Sequence, residues 1–171
     1  EEKNLEDVAG YSPQDNALYP FLTIRENFEV FGKLRGVKKE VIKERMKNLL
    51  LDLGIYDARN KRVEELSGGM AKRADLAVTM LHDPKVIVLD EPFSGIDPPQ
   101  RDIIWDALDD ARRDGKIVIL TSHMLPDLMN HCDEYGLVHR GEFHNTEEIK
   151  KIRDSTKYDS LQEMFRDVFR L

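Results

Sequence analysis

The residues best suited to chemistry are two neighbouring carboxylates, Asp90 and Glu91, placed directly after the apolar run Val86-Ile87-Val88-Leu89. A strand that ends in an acidic pair sets hard oxygen ligands at the carboxyl edge of a sheet, where open α/β sheets bind ligands. One carboxylate can hold Mg²⁺, which usually takes one or two protein carboxylates and leaves the rest of its shell to phosphates and water. The other can act on a water molecule. The same letters, continued by Pro92, also fit a strand running into a solvated acidic turn. Ser67-Gly68-Gly69 offers a second chemistry. It opens a helical pattern, and helix starts present unpaired N–H groups and a positive dipole end that attract phosphate. Two glycines let a phosphate approach the backbone closely, although an ordinary serine cap followed by glycines reads the same way. His123, in Thr121-Ser122-His123 after the run Lys116–Leu120, can reach a terminal phosphate; a lone histidine there is more often structural. Gln14, closing the first apolar run, is the weakest single signal. No G-x-x-x-x-G-K-S/T loop occurs in the 171 residues, so the main phosphate cradle is absent from the sequence.

Elements must position these groups, and the chain is long enough for one domain or a large piece of one. With 40% hydrophobic and 35% charged residues, the composition supports a packed core and argues against disorder. The net charge of −7, from 26 basic and 33 acidic residues, is a poor match to nucleic-acid binding, where a basic surface supplies most of the affinity. No apolar stretch approaches the roughly 18 residues of a membrane-spanning helix, so a membrane role is expected to run through a partner. The single cysteine, Cys132, excludes an intramolecular disulfide and fits a reducing compartment. The chain begins at Glu1 rather than an initiator methionine, and targeting is not to be judged from that end.

A strand is expected from Asp7 to Ser12. Thr23 caps a helix, with Glu26 completing a capping box, and that helix runs to about Leu34 before Gly36. The preceding apolar turn, Ala17 to Thr23, reads either as a hydrophobic staple or as part of a docking groove. A second helix fits 38–53, from the spacing of Val41, Ile42, Met46, Leu49, Leu50 and Leu53, and Gly54 ends it. Ser67 opens a third, 68 to about 82, broken by Asp83-Pro84. Val86–Leu89 and Lys116–Leu120 read as buried strands of a parallel sheet. Between them a helix spans 98–114, with proline near its start and Gly115 after its end. A short helix is expected over Leu125–Asn130, a strand over Tyr135–His139, and charged helical sequence to Leu171. Strand–helix alternation after residue 83 points to a doubly wound α/β core. The divisions expected are 1–19, carrying the first strand; 20–82, a helical insertion; 83–145, the second half of the core; and 146–171, a helical tail.

Taken together, Gln14, Ser67, Asp90, Asp97 and His123 stand in an order that resembles the ATP-binding-cassette (ABC) ATPases. Tyr11-Ser12-Pro13-Gln14 resembles that family's Q-loop, and Leu66–Met70 its signature, with Arg73 at the usual basic position. Val86–Pro92 resembles the Walker B strand, Gly95-Ile96-Asp97 the D-loop, and Thr121-Ser122-His123 the switch histidine. The resemblance covers nearly the whole chain. It implies a P-loop NTPase-like (RecA-like) parallel sheet with a helical subdomain inserted, and a subunit that binds and hydrolyses ATP with Mg²⁺. It further implies that Asp90 positions the metal through water, that Glu91 orients or deprotonates the attacking water, and that His123 contacts the γ-phosphate. Gln14 would touch the Mg²⁺ shell and report to the transport domain. Ser67, Gly68 and Gly69 would bind the γ-phosphate of ATP held by a second subunit in a head-to-tail dimer, and Asp97 would link the two sites. Transmembrane subunits are the implied further partners, placing the protein at the cytoplasmic face of a membrane.

The sequence departs from the family in two ways. The phosphate loop, its lysine and the adenine-stacking aromatic should precede residue 1, so the chain is expected to be a fragment with a gap beside the Lys116–Leu120 strand and little activity alone. Met70 also replaces the usual glutamine of L-S-G-G-Q. The stretch Asn16–Asn27 and the tail Ser160–Phe165 resemble exporter cassettes. The alternatives are a non-transport family member acting in DNA repair or on ribosomes, and an inert dimerisation or regulatory piece. The repair class is disfavoured because no heptad run separates Gln14 from Ser67.

Overall fold

The computed structural model describes residues 8–156 and Glu163. The chain divides into two compact units, Glu1–Ser122 and His123–Leu171.

The first unit is built on a parallel sheet ordered β1 (Ala9–Ser12), β2 (Val86–Leu89) and β3 (Ile117–Leu120). Ser12 pairs with Leu89, and Leu89 with Leu120, so the three strands end at one level. Parallel neighbours need long crossovers. Three helices lie between β1 and β2 in sequence, namely α1 (Ile24–Leu34), α2 (Lys39–Asp52) and α3 (Gly68–Met80), and α4 (Pro98–Arg113) joins β2 to β3. Two 3₁₀ turns, Tyr56–Ala58 and Val63–Glu65, bridge α2 and α3.

The local signals act as expected in α1. The Thr23 hydroxyl accepts from the Glu26 N–H at 3.2 Å, and the Glu26 carboxylate accepts from the Thr23 N–H at 2.8 Å. The bond from the Thr23 backbone holds the Glu26 carboxyl below its ordinary range. No hydrophobic staple forms, because the residue at the staple position is Asn27. Its buried side chain accepts from the Tyr19 N–H at 2.8 Å and donates to the carbonyls of Tyr19 and Thr23, stitching the apolar turn by polar bonds. The turn leaves Tyr19 and Phe21 exposed while Leu18 is buried. Ile24 and Phe28 of α1, Ile42, Met46 and Leu50 of α2, and Leu76 and Leu81 in and after α3 form the helical core. Gly10 lets β1 approach α3: a Cβ there would lie 2.6 Å from the Thr79 carbonyl oxygen.

Three expectations about strands are corrected. Lys116–Leu120 is not a buried strand. It starts at Ile117, and Ile117 and Ile119 are exposed, because among the described residues β3 is an edge strand with one face uncovered. On its other side α4 packs against it, with Ile104, Trp105 and Leu108 buried. Val86–Leu89 is covered unevenly on its two faces, Ile87 and Leu89 being buried and Val86 and Val88 half-buried. The expected strand Tyr135–His139 is shorter and antiparallel. In the second unit β4 (Leu137–His139) pairs with β5 (Glu142–His144) across Arg140 and Gly141, both at positive φ. Helices α5 (Leu125–His131) and α6 (Thr146–Thr156) flank this hairpin in sequence. Asp7 and, apart from Glu163, the segment Ser160–Phe165 lie outside the described residues.

Candidate functional site

The common level of the strand ends brings three of the predicted residues together. Asp90 and Glu91 follow β2, Gln14 lies two residues beyond β1, and Thr121 follows β3. The Asp90 N–H donates to the Ser12 carbonyl at 2.9 Å and the Thr121 N–H to the Leu89 carbonyl at 3.0 Å, extending the ladder past the strands. Asp90 and Glu91 are half-buried and Gln14 is exposed.

Glu91 sits at φ +45°. This left-handed conformation is uncommon for a residue with a Cβ and costs on the order of 1–3 kcal/mol unless its surroundings fix it. Thr121 does so. Its hydroxyl accepts from the Glu91 N–H at 2.9 Å and donates to Asp90 Oδ1 at 2.6 Å. One hydroxyl therefore fixes the backbone of Glu91 and the carboxylate of Asp90, using its single donor and one acceptor. Reading the sequence for acids and histidines passed over Thr121. The available signal was its position immediately after a strand paired to the acid-bearing one.

Ser67 caps α3, its hydroxyl accepting from the Met70 N–H at 3.3 Å. Ser67 and Gly68 are exposed, and a Cβ at Gly68 would meet nothing within 4 Å, so the helix start is open to a ligand. Gly69 is buried, and a Cβ there would collide with Oε1 of Gln100. Gln100 belongs to α4, which Asp97 opens, and its Nε2 donates to Asp97 Oδ2 at 3.4 Å while its Oε1 accepts from Arg73 at 3.4 Å. Arg73, 7% exposed, also donates to the Gly69 carbonyl at 3.2 Å and the Leu53 carbonyl at 2.9 Å. Gln100 and Arg73 thus tie Asp97 to the Ser67–Gly69 helix start, a link the sequence reading missed.

The same helix reaches Gln14. Lys72 Nζ donates to the Pro13 carbonyl at 2.6 Å and to the Gln14 carbonyl at 3.4 Å. Burial lowers the Lys72 pKa, against the pull of Asp75, Asp90 and Asp15. His123 is exposed and belongs to the second compact unit. Among the described residues no group of three or more His, Cys, Asp or Glu is arranged around a common metal position. Asp90 alone, a half-buried carboxylate held by a neutral hydroxyl, fits a hard cation that draws its other ligands from phosphate and water.

The sequence profile described as ABC transporter matches residues 1–94, more than half of the chain. The chain is 35% identical over 133 residues to the linearmycin resistance ATP-binding protein LnrL of Bacillus subtilis, covering 78% of this chain and 43% of that protein. It is 36% identical over 132 residues to the Nod factor export ATP-binding protein I of Ralstonia nicotianae, covering 77% of this chain and 41% of that protein. It therefore spans about two fifths of the length of these relatives. A solved ATP-binding subunit of an ABC transporter shares the fold, with a TM-score of 0.81 over 95% of this chain and 68% of that one, at 21% identity.

Proposed function

This chain belongs to the ABC transporter family of ATP-binding subunits, and from that premise we propose that the complete protein binds ATP with Mg²⁺, hydrolyses it, and drives export through separate membrane subunits. The observation that carries the reading is the convergence of Gln14, Asp90, Glu91 and Thr121 at the carboxyl ends of three parallel strands, with Glu91 held in a left-handed conformation by the hydroxyl that also orients Asp90. In phosphoryl transfer the protein mostly positions groups and stabilises charge. When bound, Mg²⁺ would neutralise charge on the phosphates. Asp90 would hold the metal and Gln14 would touch its shell. Glu91, on the turn whose backbone Thr121 fixes, would orient the attacking water and take its proton. His123 would contact the γ-phosphate.

Ser67, Gly68 and Gly69 would bind the γ-phosphate of a nucleotide on a second ATPase subunit, packed head to tail, and Asp97 would link the two sites. Support comes from the open Ser67–Gly68 helix start and from the Gln100–Arg73 connection between it and Asp97. Export, rather than uptake, is supported by the name of the relative that exports Nod factor. Exposed Tyr19 and Phe21, set by the Asn27 stitch, would face a helix of the membrane subunit. No helix among the described residues is long and apolar enough to cross a membrane, and we place the protein at the cytoplasmic membrane face through its partners.

The experiment is a nucleotide titration of the complete protein with and without Mg²⁺, in the wild type and in Asp90→Ala. The reading expects Mg²⁺ to strengthen ATP binding in the wild type and to lose most of that effect in the variant, along with turnover. Mg²⁺-dependent turnover that survives Asp90→Ala would refute it.

A further inference from the structure

A buried polar cluster adjoins the strand-end site, and none of the steps proposed above uses it. Asp75, on α3, is 2% exposed, and Ser12, the last residue of β1, is 1% exposed. The Ser12 hydroxyl donates to Asp75 Oδ2, and the Ala17 N–H donates to Oδ1 at 3.2 Å. Three residues earlier on the same helix, Lys72 donates to the carbonyls of Pro13 and Gln14. Two α3 side chains therefore hold the polar groups of residues 12, 13, 14 and 17, on both sides of Gln14.

Packing alone gives no reason for this cluster. The neighbouring buried positions of α3 include the apolar Ala74, Leu76, Ala77 and Val78, beside the hydrogen-bonded Arg73 and Thr79. A buried carboxylate is costly even when bonded, and an apolar residue of fitting volume is often neutral or better. Burial does raise the Asp75 pKa, against the opposing effects of Ser12, Lys72 and the Ala17 amide. What a carboxylate supplies, and an apolar group cannot, is two acceptors in fixed geometry for a segment without regular structure. Buried polar networks of this kind rigidify what they join when every member is satisfied, and among the described residues no buried side-chain polar atom lacks a partner.

We propose that Asp75 and Lys72 are positioning residues: they brace the Ser12–Ala17 segment against α3, so that Gln14 is held in register with the helix whose first turn is Ser67-Gly68-Gly69. The proposal rests on the reading of Gln14 as a contact of the Mg²⁺ shell. A shift of α3 is passed to the segment around Gln14 through the Lys72 ammonium and the Asp75 carboxylate.

The test uses the complete protein and two readouts. Amide hydrogen exchange of the 12–17 segment is measured in the wild type, Asp75→Ala and Lys72→Met. ATP turnover is measured for the same variants, alone and combined with Gln14→Ala. Lys72→Met keeps the apolar stem and is the variant to rely on if Asp75→Ala does not fold. The brace predicts exchange faster by about tenfold or more in either variant, the scale of one lost hydrogen bond to a charged group. It also predicts turnover lowered through kcat rather than KM, no further loss when Gln14→Ala is already present, and recovery in Lys72→Arg. Unchanged exchange would overturn the brace whether or not the protein hydrolyses ATP. Faster exchange with losses that add to that of Gln14→Ala would overturn the positioning role. A wild type without turnover would count against the proposed function, and exchange would still decide the brace.

Discussion

At Glu91 the chain accepts an unfavourable backbone conformation in the turn that follows β2. The strain is tolerable because Thr121 takes the freed N–H and fixes Asp90 with the same oxygen. Thr121→Val keeps the shape and removes both bonds, so it should lose about 1–2 kcal/mol of stability, as for an unsatisfied donor. It should also lower turnover at least tenfold in the complete protein, while Thr121→Ser should keep most of both. Chemical denaturation and phosphate release read the two effects. His123→Ala should cut turnover as well, through loss of a γ-phosphate contact of the kind that stabilises transition-state charge. The acidic pair and the serine cap were legible because a β-branched run and a Ser-Gly-Gly start are local patterns. Thr121 was not, since its role depends on β3 pairing with β2 in one register, Leu120 opposite Leu89. That pairing joins residues about thirty positions apart, and no short window of sequence contains it.

At the scale of elements, α3 joins three candidate regions: its first turn is Ser67-Gly68-Gly69, its buried side meets β1, and Arg73 reaches Gln100 of α4. Its seat on β1 depends on a close approach at Gly10. Gly10→Ala would push a Cβ to 2.6 Å from the Thr79 carbonyl and should cost roughly 1–3 kcal/mol, as overpacking does, seen as a lower denaturant midpoint. Asp75 gives the contact a pH signature. Its folded pKa is raised above the ordinary 3.8, so its contribution to stability is fully present below that value and is lost as pH rises through the folded pKa. Thermal melts should therefore show the wild type losing stability relative to Asp75→Asn as pH rises from acid toward neutral. A constant difference would mean that folding does not raise the Asp75 pKa. Helix limits followed the sequence closely because caps and glycines mark them: Thr23 and Ser67 at starts, Gly36, Gly54 and Gly115 after ends. β4 lies within the strand expected over Tyr135–His139, but its hairpin partner β5 was missed because a three-residue strand is too short for alternation to show. The exposed face of β3 was missed because an isoleucine-rich strand reads the same whether or not anything covers it.

At the scale of the molecule, the family assignment joins a sheet whose strand ends gather acids to a helical segment whose first turn is open to phosphate. The acidic balance, with a net charge of −7, suits contact with protein partners better than contact with nucleic acid. The chain spans about two fifths of the relatives it matches, so turnover belongs to measurements on the complete protein. The most direct of these compares Glu91→Gln with the wild type, following phosphate release and Mg²⁺–ATP binding side by side. Loss of a general base typically costs a factor of about 10²–10⁴. Turnover reduced on that scale, with ATP bound as tightly as before, is the predicted result. Near-normal hydrolysis by Glu91→Gln would contradict the account, because the carboxylate on the left-handed turn after β2 would then have no part in activating water.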